Sequence, residues 1–172
     1  MLSMNTLILG LGNPLLGDDG VGWRAAEECA KQITDASNIE VDCFARGGLS
    51  LMERLIGYDR VILIDAINTG GKPTGRVESF QLEELADPNA GHLASVHDAT
   101  LPTALALGRA LGAQLPSDVI VVAVEAENVY DFTEELSPAV AQAVPRAVEL
   151  VMSQLVRKPE GHAAQPVDEL TQ

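Results

Sequence analysis

Asp19, Asp65 and His97 are side chains of this 172-residue chain whose types could together engage a metal ion. Two carboxylates and an imidazole supply oxygen and borderline nitrogen donors, a partial shell for Zn, Ni, Co or Fe that leaves positions open for a substrate. Asp65 is the most informative of the three because it lies in RVILIDA, Arg60–Ala66, an apolar run of buried-strand character. An ionised, unpaired carboxylate there is costly, so Asp65 needs a partner, a metal or a strand-end position with water. Each residue also has an ordinary reading. Asp18 or Asp19 sits where a helix N-cap belongs, Asp65 could orient turn amides, and His97 could be a solvated imidazole in a polar loop. Glu125 and Glu127 read as solvated loop acids, either able to act as a general base if the site extends that far.

Other chemistries find less support. Gly10-Leu11-Gly12 lacks the third glycine of a dinucleotide fingerprint, and there is no Walker lysine or Gly-x-Ser-x-Gly elbow. Cys29 falls in a helical pattern and Cys43 in a strand, without metal or redox spacing, so both read as buried structural thiols in a reducing compartment. His92 and His162 have no motif around them. A net charge of -14 repels nucleic-acid backbones and anionic membrane surfaces. No apolar run reaches the roughly 18 residues of a membrane span and no signal region opens the chain, so a cytoplasmic protein is expected.

The elements that must position these residues can be read from periodicity. Aromatics are only 3% of the chain, so the core should be aliphatic, as in a sheet covered on both faces. Thr6–Leu11 reads as a buried first strand, followed by a Gly/Pro loop and a helix with Val21, Ala25, Ala26, Cys29 and Ile33 on one face. Ile39–Ala45 forms a second strand, and Ser50 caps a short helix with Leu51, Leu55 and Ile56 inward. RVILIDA and Gly75–Gln81 are strands joined by too few residues for a parallel crossover, so they should pair antiparallel. After a long connection with a helical turn at Leu82–Leu85, Thr100 opens a helix whose inner face is Leu101, Leu105, Gly108 and Leu111. Asp118–Ala126 is a fifth strand. Ser137 and Pro138 start a long last helix that Pro145 should kink. The expected architecture is an α/β fold: a three-layer α/β/α sandwich on a twisted, mostly parallel, mixed sheet of about five strands. Residues 1–156 make one domain, and 157–172 a disordered tail. In such sheets ligands sit beyond the carboxyl ends of the parallel strands, the edge where Asp18, Asp19, Asp65, Glu125 and Glu127 fall.

The run Leu9-Gly10-Leu11-Gly12-Asn13-Pro14-Leu15-Leu16-Gly17-Asp18-Asp19-Gly20-Val21-Gly22 resembles the opening signature of the hydrogenase-maturation endopeptidases. Ile64-Asp65-Ala66, Ser95-Val96-His97-Asp98 and Glu125-Ala126-Glu127-Asn128 leading to Leu136-Ser137-Pro138 follow in that family's order. The resemblance covers most of Thr6 to Val156. It implies that Asp19, Asp65 and His97 are metal-engaging residues, that Asp19 and Asp65 also take part in catalysis, and that Asp18 shapes the loop. The first of these positions is often glutamate in the family; the aspartate here is one methylene shorter. The implied reaction is removal of the C-terminal extension of a nickel–iron hydrogenase large-subunit precursor after nickel insertion. The Ni2+ comes with the substrate, and Zn2+ or Cd2+ could occupy the same donors. The implied partner is that precursor, with no nucleic acid or membrane and a monomer as the expected state. Two other readings use the same residues: a non-catalytic nickel-dependent assembly chaperone, and a small-substrate hydrolase that owns its metal.

Overall fold

The computed structural model describes residues 4–34, 37–85 and 100–157. In chain order the strands and helices are β1 (Thr6–Leu11), α1 (Val21–Gln32), β2 (Ile39–Phe44), α2 (Gly48–Arg54), β3 (Arg60–Ile67), β4 (Val77–Gln81), α3 (Leu101–Ala110), β5 (Asp118–Glu125) and α4 (Pro138–Val156). Short 3-10 turns precede α1 at Gly17–Gly20 and follow β4 at Leu82–Glu84. No described helix is long and apolar enough to cross a membrane. The expected tail from 157 lies, apart from Arg157, outside the described residues.

The five strands form one sheet in the order β2-β1-β3-β5-β4. β2, β1, β3 and β5 run parallel, and β4 is antiparallel to β5. The mixed, mostly parallel sheet is as expected, but the partner of β4 is not. β3 and β4 were expected to pair with each other; β5 lies between them. Burial gives the reason. Every residue of β3 is buried, which requires a strand on each side, whereas β4 is half-buried along its length and suits an edge.

Strand alternation sorts the core into two layers. On one face Ile8, Ile62, Ile64, Ile120 and Val122 pack with residues of α1 and α4, including Val21, Ala25, Val140 and Val151. On the other, Leu7, Leu9, Leu63 and Val121 meet Leu51 and Leu55 from α2 and its C-cap, and Leu101 and Leu105 from α3. Each such aliphatic side chain contributes about 1.5–3 kcal/mol on burial, so the two layers together fix the helices against the sheet.

Element ends differ from expectation in ways the backbone explains. α2 begins at Gly48 with Gly47 as N-cap, so Ser50 is inside the helix, and Ile56 beyond its end is exposed. α3 ends at Ala110, leaving Leu111 in solvent. Thr100 caps α3 by accepting the Thr103 amide, with Pro102 in the first turn. α4 continues through Pro145, whose ring faces solvent; the acceptor left without its usual donor belongs to Ala141, on the same exposed side.

Beyond β1 the chain turns one way to β2 and the other to β3, making the β1–β3 boundary the topological switch point, where open sheets bind ligands. Backbone contact sets the helix start there. A Cβ on Gly22, in the first turn of α1, would stand 2.3 Å from the carbonyl oxygens of both Leu11 and Ile64, and one on Gly10 would stand 2.3 Å from the Gly22 carbonyl oxygen. α1 therefore rests directly on the ends of β1 and β3. Gly22→Ala should lower the urea denaturation free energy by about 3 kcal/mol, the upper part of the usual overpacking range. Gly71→Ala, where a Cβ meets nothing within 4 Å, should leave it unchanged.

Candidate active site

The loop from β1 into α1 folds around its own polar groups. The Leu15 amide donates to Asn13 Oδ1 (3.0 Å), the Leu16 amide to the Asn13 carbonyl (3.0 Å) and the Asp19 amide to the Leu16 carbonyl (3.1 Å). Asp19 Oδ2 accepts the Asn13 amide at 2.7 Å. Gly12, at φ 110°, lets the chain pass against Asp19, whose carbonyl oxygen would lie 2.0 Å from a Cβ. Asp19 thus closes the loop on itself, and the N-cap of α1 is Gly20. Neither aspartate caps α1 as expected, because both carboxylates bond elsewhere.

Asp18 reaches across the fold. Its Oδ1 accepts the Ser137 amide (2.6 Å) and its Oδ2 the Ser137 hydroxyl (2.9 Å), where α4 begins. Ser137 occupies the expected N-cap position, but its hydroxyl is turned to Asp18 instead of capping the helix. The Gly17 amide donates to the Thr133 carbonyl (2.7 Å) and the Asp18 amide to the Asn128 carbonyl (3.0 Å). The loop is therefore pinned from both sides of Asp18.

Asp65 is fully buried in β3, one residue beyond the Gly10–Ile64 pairing, and by alternation faces the α2/α3 layer with Leu63. Neither carboxylate oxygen has a partner in good hydrogen-bond geometry among the described residues; the amide of the next residue, Ala66, gives only partial compensation. Burial, above all, pushes its pKa well above the ordinary carboxylate range; the nearby charge of Asp19 pushes in the same direction, and the Ala66 amide offsets a part. Two carboxylates at one switch point, one of them without a well-formed hydrogen bond, form an arrangement that a proton or a cation relieves. Among the described residues no three His, Cys, Asp or Glu side chains come together as a metal shell. His97 lies in 86–99, outside the described residues.

Glu125 corrects an expectation. It was read as a solvated loop acid, yet it is only 2% exposed and clasps the loop after β3: Oε1 accepts the Thr69 amide (2.7 Å), and both oxygens accept the Thr69 hydroxyl (2.9 and 3.0 Å). The signal was available, since Glu125 ends an apolar strand just as Asp65 lies within one, and the same cost of burying a carboxylate applies. Glu127 is exposed as expected and accepts the Thr74 hydroxyl at 2.8 Å. The Asp18–Ser137 clamp had no signal in the sequence, its partners being 119 residues apart. Both cysteines are free. Cys29 is buried and Cys43 half-buried; burial first, then neighbouring acids, pushes each thiol up to about 11, which leaves no thiolate for nucleophilic work.

Comparison with known proteins adds a family. A profile of hydrogenase maturation proteases (HycI) matches residues 23–154, a span that holds Asp65 and His97 and begins just after the Asp19 loop. The hydrogenase expression/formation protein HupD of Thiocapsa roseopersicina is 26% identical over 151 residues, 88% of this chain and 67% of that protein. The structure of the hydrogenase maturating endopeptidase HybD from E. coli superposes with a TM-score of 0.76 at 27% identity, covering 88% of this chain and 92% of that one. HybD from Thermococcus kodakarensis gives 0.62 at 26% identity, covering 88% and 99%.

Two outcomes follow from the acids. The pKa of Asp65 is raised on folding, so its contribution to stability is full below the ordinary carboxylate range and is lost as pH rises through the folded value. In metal-free buffer, Asp65→Asn should come closest to the wild-type melting temperature at the acid end, below the ordinary carboxylate range, and exceed it increasingly as pH rises. A variant equally destabilised at every pH would show that the carboxylate is charged and partnered. Asp18→Ala, which removes both acceptors from the Ser137 amide and hydroxyl, should cost about 2 kcal/mol in urea unfolding, typical of a lost hydrogen bond to a charged group.

Proposed function

This chain belongs to the hydrogenase maturation protease family, and we propose that it removes the C-terminal extension of a nickel–iron hydrogenase large-subunit precursor after nickel insertion. In this reading Asp19, Asp65 and His97 engage the Ni2+ that the precursor holds, and the enzyme works as a cytoplasmic monomer. One observation carries the reading: Asp65 is a buried carboxylate with no well-formed hydrogen bond among the described residues, close enough to Asp19 to feel its charge. A buried carboxylate in that state is costly, and a divalent cation entering between the two acids converts their repulsion into attraction. A precursor without nickel offers no such compensation. The gain on binding is then largest for a loaded substrate, which makes the metal a check that insertion is complete.

The proposed third donor is supported by chain geometry. α3 is followed by a short connection to the amino end of β5, so its first turn lies at the carboxyl edge of the sheet, and Leu101 in that turn packs in the same layer as Leu63 and Ala123. His97 precedes Leu101 by four residues, a span of at most about 14 Å of extended chain. Nickel close to the scissile carbonyl supplies Lewis-acid polarisation, and Asp19 and Asp65 are the carboxylates available as general base toward water. The isolated protein need not hold an ion, and the same donors are open to Zn2+ or Cd2+ in place of the substrate's nickel.

The test mixes the protein with nickel-loaded and nickel-free precursor and follows intact mass. Only the loaded form should be shortened. Asp65→Asn and His97→Ala should each slow shortening by roughly a hundredfold or more while remaining folded, the scale expected for loss of a group acting at the reacting centre. Equal cleavage of both precursors would end the nickel reading, and full activity in His97→Ala would remove that residue from the site. Binding of the precursor without shortening would favour a chaperone, and turnover of simple peptides with a retained metal would favour a small-substrate hydrolase.

A further inference from the structure

The chain has six aromatic residues, and four of them, Trp23, Phe44, Tyr58 and Phe80, are half-buried. The remaining two, Tyr130 and Phe132, stand two residues apart with 81% and 84% of their surface exposed. They belong to the segment between β5 and α4, which the proposed reaction does not use. We infer that Tyr130 and Phe132, with Leu15 beside them, form a docking surface for an apolar, Lys/Arg-flanked segment of the large-subunit precursor. This inference rests on the reading that such a precursor is the substrate.

Three observations support it. The first is attachment to the site. The Thr133 amide donates to the Leu15 carbonyl (3.1 Å), Leu16 and Thr133 form an isolated bridge, and the Thr133 carbonyl accepts the Gly17 amide (2.7 Å). The aromatic segment is thereby stitched to the loop that carries Asp18 and Asp19, and Leu15, 44% exposed, sits at the seam. A chain bound there lies next to the loop of Asp18 and Asp19 by construction.

The second is rigidity. Val129 is buried in the core between α1 and α4, the Asn128 carbonyl accepts the Asp18 amide, and Arg24 donates to the Glu134 carbonyl at 3.3 Å. The rings project from a backbone held at both ends, so little ordering cost opposes binding; large, stiff aromatic side chains are the usual anchors of protein interfaces. The third is charge. Asp131, Glu134 and Glu135 are exposed in the segment that carries the rings, residues 127–137 contain no Lys or Arg, and Arg24, which reaches the Glu134 carbonyl, is paired with Glu27, so the rim is left net acidic and attracts cationic side chains flanking an apolar stretch.

The experiment compares wild type with the double variants Tyr130→Ser/Phe132→Ser and Glu134→Gln/Glu135→Gln, using nickel-loaded precursor at several salt concentrations. Affinity is read by titration and processing by KM and kcat. The aromatic variant should weaken Kd and raise KM roughly tenfold, the effect of losing one interface hot spot, with kcat retained and the melting temperature unchanged. The acidic variant should flatten the rise of KM with salt seen for wild type. Wild-type Kd and KM in the aromatic variant would overturn the inference. So would a wild-type dimer in sedimentation that the aromatic variant dissolves, since the patch would then cover a second copy of this chain. A wild-type protein that binds the loaded precursor without shortening it would end the cleavage reading, and Kd alone would still decide the docking surface.

Discussion

The contact on which the rest of this structure depends is the one with no side chain in it. Gly22 lays the first turn of α1 on the carbonyl oxygens of Leu11 and Ile64, and Gly10 receives that turn from below. Because β1 and β3 are neighbours and diverge in their connections, this touching point is also the switch point of the sheet. A helix held a methyl group farther away would carry Asp19 away from Asp65. Glycine at these positions is therefore a condition on the electrostatics of the site, and the twisted sheet with its two aliphatic layers supplies the stiffness that makes the condition hold.

The electrostatics run against folding. A buried carboxylate with no well-formed hydrogen bond in the middle of a sheet, beside a second acid, opposes the stability that Leu63 and its neighbours provide. Other acids of the same edge are satisfied: Asp18 by Ser137, Glu125 by Thr69, and Glu127 in part by Thr74. The contrast separates scaffold from site. Asp18, Glu125 and Glu127 hold loops and have their donors in place, while Asp65, proposed with Asp19 to meet the metal, is left in need of a positive charge.

Legibility in the sequence followed the range of the forces involved. Long apolar runs such as RVILIDA and DVIVVAVE declared buried strands, and helical spacing from Val21 and from Ser137 placed α1 and α4, since these signals are local. The insertion of β5 between β3 and β4 was not local. It depends on which strand most needs cover on two edges, a competition that a short loop between β3 and β4 conceals. At the site, Asp65 was legible because a charge in an apolar run is a conflict visible in sequence. Glu125 posed the same conflict at a strand end and was misread as solvated, because the Thr69 loop that encloses it comes from 56 residues away. The N-cap reading of Asp18 and Asp19 failed for the same reason: a cap is a local inference, and both side chains found partners outside the helix they precede.

The distance between Asp18 and Ser137 has a consequence in time. During synthesis the chain grows from its amino end, and β1, α1, β2 and β3 can assemble while much of the remainder is still being made. The loop carrying Asp19 cannot take its final shape until the start of α4 has emerged to receive Asp18 and the preceding segment has closed over Gly17. An incomplete polypeptide thus has its carboxylates without the frame that aims them. Proteolytic competence is deferred to the last stage of this protein's own making.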